Sequence, residues 1–318
     1  MKKPPGVLIV GGGGGVPFLA GALKELEPGV EQAGVNGAID SGGHSGKLRK
    51  EYPGIAPAGD VVKTVGATAE EEEFSLHNMK RRESCGASAG NLMFLERYKQ
   101  AVEDGEPDPN QVALDRLVRD AGSRAVYFAT QPAQLVMRYS GMVVVGEDTI
   151  AQRNYRRDEV LDAEFSVEGD DGSDIGPNQV FVDQLRESER IWLAPSHIVH
   201  STLSQLMVLR GLSEEEREEI SAKMTLVIGT ESPWNMSGLT AADHYRIVQK
   251  ASGISPAAMA IGQSTVDATE KPEELQQFVD FSHMGLVQRP SENGNPLEDH
   301  KPAMLYPGGV VRELLAAA

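Results

Sequence analysis

Ten residues in the N-terminal part of the chain combine the groups that proteins use to bind anions. Residues 40–49 read DSGGHSGKLR and include three glycines, two serines, a carboxylate, a histidine and two cations. A surface turn needs one or two glycines, whereas an anion site uses backbone N–H groups, hydroxyls and cations together. The composition of this segment therefore predicts a site that wraps an anion.

A second glycine-rich segment, residues 11–15, follows the apolar run Val7–Val10 and precedes a helical pattern that includes Leu19 and Leu23. Glycines between a strand and a helix present N–H groups at the helix N-terminus, where the helix dipole favours an anion. The spacing matches neither the dinucleotide fingerprint G-x-G-x-x-G nor the P-loop. Phosphate binding without either motif is the favoured interpretation, and a tight turn without a ligand is the alternative.

Two carboxylates accompany these segments. Asp40 follows residues 35–39, an apolar run that predicts the second strand and places Asp40 at the ligand-binding edge of a parallel sheet. Carboxylates beside a phosphate are typical of a Mg²⁺ site, because Mg²⁺ prefers oxygen ligands. We interpret Asp40 as functional, whereas for Asp60 a role as a helix or turn cap is an equal alternative.

Three further features contain residue types that can carry chemistry. His197 and His200 lack a third ligand at a diagnostic spacing, so surface or pocket-rim histidines are favoured over a metal site. The segment GASAG fits the pattern of a nucleophile elbow at Ser88, but no strand-ending turn accompanies it. Cys85 is predicted to be buried and inert.

Strand and helix patterns alternate along the chain. Strands are predicted at 7–10, 35–39, 124–130, 141–146, 187–195 and 224–229. This alternation predicts an α/β fold with three α/β/α layers, Rossmann-like, around a doubly wound and mostly parallel sheet. Residues 1–318 are predicted to form one domain, with polar excursions near 103–110 and 167–178. Ser213 with Glu216, and Thr240 with Asp243, predict capping boxes at helix starts.

Composition limits the partners. The chain has 30 Lys and Arg against 47 Asp and Glu, a formal net charge of -17, which argues against nucleic acid. A nucleotide remains compatible, because N–H groups, a metal and a few local cations suffice to hold its phosphates. No apolar run is long enough to span a membrane, and the N-terminus lacks the apolar stretch of a signal peptide. We therefore predict a cytoplasmic protein without a membrane partner.

Several segments, in this order, resemble the sequence boxes of the CofD/YvcK superfamily. The glycine box matches residues 11–15, and the box D-[DN]-G-G-S-[ST]-G-x-L-R matches residues 40–49. Further matches lie at 57–60, at 86–92, at Thr130, at 146–150, at 194–196 with Ser201, and at 238–244. The chain departs from the boxes at Ser41, which replaces an acid or amide, and at Ala87, which replaces a histidine.

The resemblance implies one ligand site that many of these residues share. The implied ligand-binding residues are Gly11, Gly12, Gly13, Gly14, Gly15, Asp40, Ser41, Gly42, Gly43, Ser45, Gly46, Arg49, Asp60, Ser88, Asn91, Thr130, Pro195, Ser196 and Ser201. Asp40 would also contact Mg²⁺, the one cofactor that the resemblance implies.

The resemblance leaves three functions open. The favoured one is a nucleotide or nucleotide-sugar binding protein of the gluconeogenesis-factor branch, regulatory in carbon metabolism or cell shape. The second is a Mg²⁺-dependent 2-phospho-L-lactate transferase of deazaflavin coenzyme synthesis, and the third is a scaffold that has lost its ligand. The departures at Ser41 and Ala87 favour binding over catalysis. Assembly into a homo-oligomer is also left open.

Overall fold

The computed structural model describes residues 5–40, 43–127, 131–228, 238–262, 272, 275–281, 286–287, 304–305 and 307–316. Its strands, in chain order, are β1 (Val7–Val10), β2 (Gln32–Asn36), β3 (Ala125–Tyr127), β4 (Ala133–Tyr139), β5 (Met142–Val145), β6 (Glu164–Gly169), β7 (Arg190–Leu193), β8 (Met224–Ile228), β9 (Ala258–Gly262), β10 (Gln277–Phe281), β11 (Leu286–Val287) and β12 (Met304–Leu305).

The α-helices surround these strands. They are α1 (Gly15–Leu26), α2 (Gly43–Glu51), α3 (Gly59–Thr68), α4 (Leu76–Lys80), α5 (Ala89–Glu103), α6 (Pro109–Asp120), α7 (Glu147–Ala151), α8 (Arg157–Asp162), α9 (Gln179–Glu187), α10 (Ser204–Met207), α11 (Glu214–Ala222), α12 (Ala241–Ser252) and α13 (Pro307–Ala316). A π-helical turn, Ile198–Leu203, precedes α10, and short 3₁₀ turns lie at Glu72–Phe74 and Val208–Gly211. None of the described helices combines the length and the apolar character needed to cross a membrane.

A parallel sheet forms the centre of the fold. Its described strands follow the order β10-β9-β8-β7-β1-β2-β3, and every neighbouring pair is parallel. The predicted α/β fold with a mostly parallel sheet is therefore confirmed. On one side of the sheet the strands follow chain order from β1 through β2 to β3. On the other side they follow chain order from β7 through β8 and β9 to β10. The carboxyl ends of β1 and β7 thus border the crevice where open α/β sheets bind ligands.

The side chains of β1 show that both faces of the sheet are covered. Leu8 and Val10 belong to one hydrophobic cluster, and Val7 and Ile9 belong to a second. All four are at most 1% exposed. Successive strand residues point to opposite faces, so this division places a buried layer on each side of the sheet. Because both faces are buried, β1 is a continuous apolar run and does not alternate apolar with polar residues.

A smaller antiparallel sheet, in the order β5-β4-β6, lies between β3 and α9 in the chain. The predicted strand at 141–146 is β5, but it pairs antiparallel with β4, outside the parallel sheet. The connecting residues Ser140 and Gly141 both have positive φ, 47° and 74°, the geometry of a two-residue hairpin turn. The alternation of strands and helices predicted parallel strands, but this short turn joins β4 directly to β5 and makes the pair antiparallel.

The acidic excursions are shorter than predicted. Residues 104–108 separate α5 from α6, and residues 167–169 complete β6 before the chain continues as a loop toward α9. The predicted second strand also shifts: β2 ends at Asn36, four residues before Asp40. Asp40 therefore lies in a loop beyond the edge of the sheet.

Asp243 fixes the start of α12 from a fully buried position. Its carboxylate accepts the Thr240 N–H at 2.8 Å and two guanidinium bonds from Arg157 at 2.6 and 2.9 Å. Thr240 Oγ1 in turn accepts the Asp243 N–H, so the predicted capping box is confirmed, as is the one at Ser213 and Glu216. Burial alone raises the pKa of Asp243, but the bonds from Arg157 and Thr240 outweigh it and hold that pKa below its usual value.

We expect Asp243→Ala to lower the free energy of unfolding by about 2–4 kcal/mol, because it removes a helix cap and charge-assisted hydrogen bonds. The folded pKa lies below the unfolded one, so this stabilisation is present above the unfolded pKa and is lost as pH falls through the folded pKa. Urea unfolding at neutral and acid pH measures both effects. The control Asp158→Ala changes an exposed carboxylate that pairs with Arg156, and an equal loss there would contradict this account.

Candidate functional site

A cavity of about 1000 Å³ opens at the carboxyl edge of the parallel sheet. Its wall combines the segments after β1 and β2 with the starts of α2, α3 and α5, the segment around α4, and the π-helical turn. The described residues that line it are Gly12, Gly37, Ile39, Asp40, His44, Ser45, Gly59, Asp60, Val62, Lys63, Leu76, His77, Met79, Lys80, Arg81, Arg82, Ser88, Asn91, Glu147, His200, Ser201 and Gln205.

The fold brings part of the predicted site together in this wall. Gly12, Asp40, Ser45, Asp60, Ser88, Asn91 and Ser201 all line the cavity, although they span 190 positions of the sequence. The others described lie beside the wall or away from it: Gly11, Gly13, Gly14, Gly15, Gly43, Gly46, Arg49, Pro195 and Ser196. Ser41, Gly42 and Thr130 fall outside the described residues, so their predicted roles stay predictions.

Close packing accounts for most of the glycines in the turn at residues 11–15. A Cβ added to Gly12 would lie 2.5 Å from Ser201 Oγ, and one added to Gly15 would lie 2.6 Å from the Pro195 carbonyl. A Cβ on Gly13 would overlap the carboxylate of Asp60 and lie 3.0 Å from the Asp60 Cα. Only Gly14 has open space around that position. The turn is therefore wedged between α3 and the segment after β7.

The same turn leaves N–H groups available at the start of α1. Gly11 N–H donates to the Val35 carbonyl at 3.1 Å, which ties the turn to β2. Within the described part of the chain, the N–H groups of Gly12, Gly13 and Gly14 have no backbone acceptor. They precede a helix of 12 residues, whose dipole favours an anion at this end.

Both predicted carboxylates belong to residues near Gly59, since Asp40 contacts Gly59 and Asp60 follows it in the chain. A Cβ on Gly59 would lie 3.0 Å from Asp40 Oδ2 and 2.7 Å from Ser45 Oγ, and Gly59 N–H donates to Ser45 Oγ at 3.3 Å. Asp60 lies in the first turn of α3 and pairs with Lys63 Nζ at 3.1 Å. Burial raises the pKa of the Tyr127 phenol, and the charges of Asp60 and Asp40 nearby raise it further.

Arg49 lies away from the cavity wall. Its guanidinium pairs with Asp170 Oδ1 at 2.6 Å and donates to the Ala133 carbonyl at 3.3 Å, which ties α2 to the antiparallel sheet. Ser196 is also engaged, with Thr202 Oγ1 at 2.9 Å. The segment 40–49, predicted to wrap an anion, is helical from Gly43 onward, because α2 starts there.

Four cations that sequence patterns did not identify line the cavity. They are Lys63 on α3 and Lys80, Arg81 and Arg82 in and after α4. Arg81 pairs with Glu83 at 2.9 Å, and Arg82 donates to the Gly86 carbonyl at 3.0 Å. The one sequence signal was KRR, a dense basic run in an acidic chain. We call these four residues the basic wall.

His200 occupies a different part of the wall, on the π-helical turn. Its ring stacks on that of His197, with centroids 3.7 Å apart and planes inclined by 4°. His197 Nδ1 accepts the His200 N–H at 3.3 Å. Burial, and then His197, lower the pKa of His200 to about 2, so the ring is neutral. No group of three or more potential metal ligands occurs among the described residues.

Three cavity-lining side chains carry a buried polar atom without a hydrogen-bond partner in the described chain: Asn91 Oδ1, His200 Nε2 and Gln205 Oε1. These residues are 4%, 7% and 0% exposed. A buried polar atom left unpaired costs about 1–3 kcal/mol, so natural proteins rarely leave one without a water or ligand partner. All three residues belong to the wall of one cavity, which makes them candidate contacts for a bound molecule.

The helix start at α5 explains Ser88. Its Oγ accepts the Asn91 N–H at 3.3 Å as the N-cap of α5. No described strand leads into Ser88, whereas a nucleophile elbow follows a strand.

His44 also lies in the cavity wall, with its Nδ1 3.4 Å from Asn91 Nδ2. Burial lowers the pKa of His44, and the charges of Lys47 and Arg82 lower it further. Cys85 is exposed, so the prediction of a buried thiol is wrong.

These features define a doubly wound α/β protein with a polar ligand cavity at the point where its strand order reverses. The chain belongs to the CofD family, because the family model described as "2-phospho-L-lactate transferase CofD" matches residues 7–288. The resemblance that the sequence boxes indicated is thereby confirmed.

Similar proteins carry a second name. A "Putative gluconeogenesis factor" of Thermotoga maritima is 26% identical over 254 residues, covering 77% of this chain and 74% of its own. The "Gluconeogenesis factor" of Listeria innocua is 24% identical over 284 residues, 86% and 81% of the two chains. The crystal structure of protein BH3568 from Bacillus halodurans aligns with a TM-score of 0.75 at 18% identity, over 99% of this chain and 100% of that one. That likeness supports the fold.

Proposed function

We propose that the cavity binds a nucleotide or nucleotide-sugar through its phosphates, and that the protein acts as a binding protein with a regulatory role. The observation that carries the proposal is the basic wall. Four cations line one cavity together with the N-terminal end of α1, in a chain whose formal net charge is -17. Local cations beside a helix N-terminus are the groups that hold phosphates in proteins.

The shape of the cavity supports a ligand larger than a single phosphate. A volume of about 1000 Å³ is at the upper end of the usual range for small-molecule sites. Gly12 places the N-terminal turn of α1 in the wall, and Lys63 of the basic wall pairs with Asp60. A diphosphate at Gly12 would leave room on both sides for a nucleoside and for a second group.

We also propose a Mg²⁺ ion at Asp40 and Asp60, because Mg²⁺ prefers carboxylate oxygens as ligands. Asp40 and Asp60 supply two carboxylates beside the proposed phosphate position. Mg²⁺ is typically bound through one or two carboxylates, with substrate phosphates and water completing an octahedron, so a third protein ligand is not required. A bound Mg²⁺ would neutralise part of the diphosphate charge. Asp40 and Asp60 would hold it, and Lys63 would keep Asp60 oriented.

The names of the relatives support the regulatory part of the proposal. Proteins similar to this chain over three quarters or more of its length are named as gluconeogenesis factors. A ligand-binding protein that reports the level of a nucleotide-sugar fits a control function in carbon metabolism or cell shape. The family description keeps phospholactate transfer as the second candidate, and the carboxylate pair at Gly59 is the feature that favours it.

A thermal-shift screen tests the proposal. Nucleoside diphosphates and their sugar conjugates are added with and without Mg²⁺, and the melting temperature is followed. A ligand at one hundred times its dissociation constant stabilises the native state by about 2.7 kcal/mol, which gives a clear upward shift. Inorganic phosphate at matched ionic strength is the control. If no nucleotide raises the melting temperature more than phosphate does, the proposal is wrong.

Asp40→Asn separates a metal role from a structural one. The substitution keeps the shape of the side chain and removes its charge, so we expect the Mg²⁺-dependent part of the affinity to fall at least tenfold. The melting temperature without ligand should change little, because Asn retains most of the capping ability of Asp. Calorimetry with and without Mg²⁺ measures the effect. A large drop in melting temperature with unchanged affinity would assign Asp40 to the fold.

A further inference from the structure

A second cavity, of about 370 Å³, lies beside the last two turns of α12. Helix α12 lies in the chain between the parallel strands β8 and β9, so it runs from the carboxyl edge of the sheet back toward the amino edge. Parts of β4, α8, β6 and the 3₁₀ turn Val208–Gly211 complete the wall. The second cavity shares no described lining residue with the first cavity, at the carboxyl edge.

Three cations from separate elements line the second cavity. Arg138 belongs to β4, Arg210 to the 3₁₀ turn and Lys250 to α12, whereas Glu164 is the one acidic residue among the described lining residues. Arg138 is partly neutralised, because it pairs with Glu168 at 2.7 Å. The whole chain has 30 Lys and Arg against 47 Asp and Glu, so this wall reverses the charge balance of the protein. A concave surface with this charge favours an anion.

Neutral acceptors orient the other two cations. Arg210 donates through Nη1 to the Phe165 carbonyl and through Nη2 to the Lys250 carbonyl, both at 3.5 Å. Lys250 Nζ donates to the Leu161 carbonyl at 2.7 Å. Within the described part of the chain, neither Arg210 nor Lys250 forms an ion pair with a carboxylate. Both therefore keep their full charge, and each has further N–H donors that these carbonyls do not use.

Apolar side chains form most of the remaining wall. They are Val160, Leu161, Ala163, Phe165, Ile247 and Ala251. All of them except Leu161 are at most 4% exposed, so the floor of the cavity belongs to the packed core. A cavity of a few hundred cubic ångströms that combines apolar walls with a few charged groups is typical of a small-molecule site. An organic anion uses both parts of this wall, whereas an inorganic anion uses only the cations.

We propose that the second cavity binds a small organic anion, with its charged head group at Arg210 and Lys250 and its apolar body against Phe165 and Ile247. A carboxylate and a phosphate monoester share this head-group chemistry, because guanidinium and ammonium groups donate to the anionic oxygens of both. The site goes beyond the proposed nucleotide function and does not depend on it, since the two cavities have no described lining residue in common.

Four probes test this site on the full chain: hexanoate, hexyl phosphate, hexanamide and acetate. Saturation-transfer NMR titrations at constant ionic strength measure their affinities. We expect hexanoate, hexyl phosphate or both to bind at least tenfold more tightly than hexanamide, which lacks the charge, and acetate, which lacks the body. Burial of two methylene groups already accounts for about tenfold. The preferred head group is the one with the higher affinity, and its binding should weaken as the salt concentration rises.

Substitutions assign the binding to the second cavity. Arg210→Gln and Lys250→Gln should each weaken the anion about fivefold, the upper value for a solvent-accessible ion pair. Glu164→Gln should strengthen it about twofold, because a like charge is removed from the same wall. Arg119→Gln is the matched control, since it removes an exposed cation of α6 that lines neither cavity, and it should leave the affinity unchanged. General destabilisation would not produce opposite effects at Glu164 and Arg210.

Three results would overturn the proposal. The first is that neither anion binds more tightly than hexanamide and acetate. The second is that Lys80→Gln removes the binding and Arg210→Gln does not, which would place the anion at the basic wall of the first cavity. The third is that Arg119→Gln weakens the anion as much as Arg210→Gln does, which would assign the effect to the net charge. The probes contain no nucleoside, so each of these results leaves the proposed nucleotide function standing.

Discussion

Gly13→Ala is expected to reduce nucleotide affinity at least one hundredfold and to destabilise the protein by about 1–3 kcal/mol, the usual cost of overpacking. The added Cβ would overlap the carboxylate of Asp60 and lie 3.0 Å from the Asp60 Cα, so backbone has to move. That movement displaces Asp60 and the N-terminal turn of α1 together. Both the proposed Mg²⁺ ligand and the proposed phosphate contacts are lost at once.

Gly14→Ala provides the matched control. It adds the same methyl group one residue later, where no atom lies within 4 Å of the new Cβ. Gly14 has φ -99° and ψ -46°, a conformation that alanine adopts without strain, so the melting temperature should be nearly unchanged. Calorimetry on both variants, with circular dichroism to verify folding, measures the contrast. A folded Gly13→Ala protein that binds like the wild type would show that the turn does not serve the ligand.

The fold was predictable because its signals are local. A continuous apolar run such as Val7–Val10 identifies a strand buried on both faces, and the pair Thr240 and Asp243 marks the start of a helix. Alternation of such elements implies a parallel sheet. The antiparallel sheet was missed because its hairpin turn contains Ser140, a residue type that carries no strong signal for positive φ.

The site was predictable where glycines and hydroxyls cluster in sequence, and less so where side chains converge from distant elements. Asp40 comes near the start of α3 because it contacts Gly59, whose N–H is bonded by Ser45 of α2. Arg49 stood in the same segment as Asp40, yet α2 carries it to Asp170. A helix directs neighbouring residues to different faces, so residues nine apart need not share a site.

The basic wall and the histidine pair show what sequence reasoning could not reach. In the sequence, Lys80 and Arg82 lie in a polar segment of the kind that is usually exposed to solvent. They line the cavity because α4 packs against α3 and α5. His200 is three residues from His197, a spacing that predicts a shared helical face. The two rings do lie on one side, where they stack, but His197 caps the π-helical turn that contains His200. Departures from regular helix geometry are not encoded in local periodicity.

Binding without transfer is the function that we propose, although the family description is equally consistent with transfer. A deazaflavin acceptor is flat and aromatic, and aromatic side chains are the usual partners for such a ring. Among the described lining residues there is no Phe, Tyr or Trp. The position equivalent to the box histidine is Ala87, which is fully buried. The groups that remain can hold a ground-state phosphate, whereas transfer needs additional groups aimed at the charge that develops in the transition state.

We therefore expect the protein, incubated with Mg²⁺, a phospholactyl donor nucleotide and a deazaflavin acceptor, to return both compounds unchanged. Phosphoryl transfer relies on positioning and electrostatic stabilisation, and losing one stabilising donor typically costs about 10²–10³ in rate. We therefore expect the departures at Ser41 and Ala87 to leave no measurable turnover. Mass spectrometry of the mixture detects product, and calorimetry on the same preparation shows whether the nucleotide binds. Binding without product supports the regulatory proposal. Product in excess of the protein concentration would demonstrate turnover and establish the transferase function.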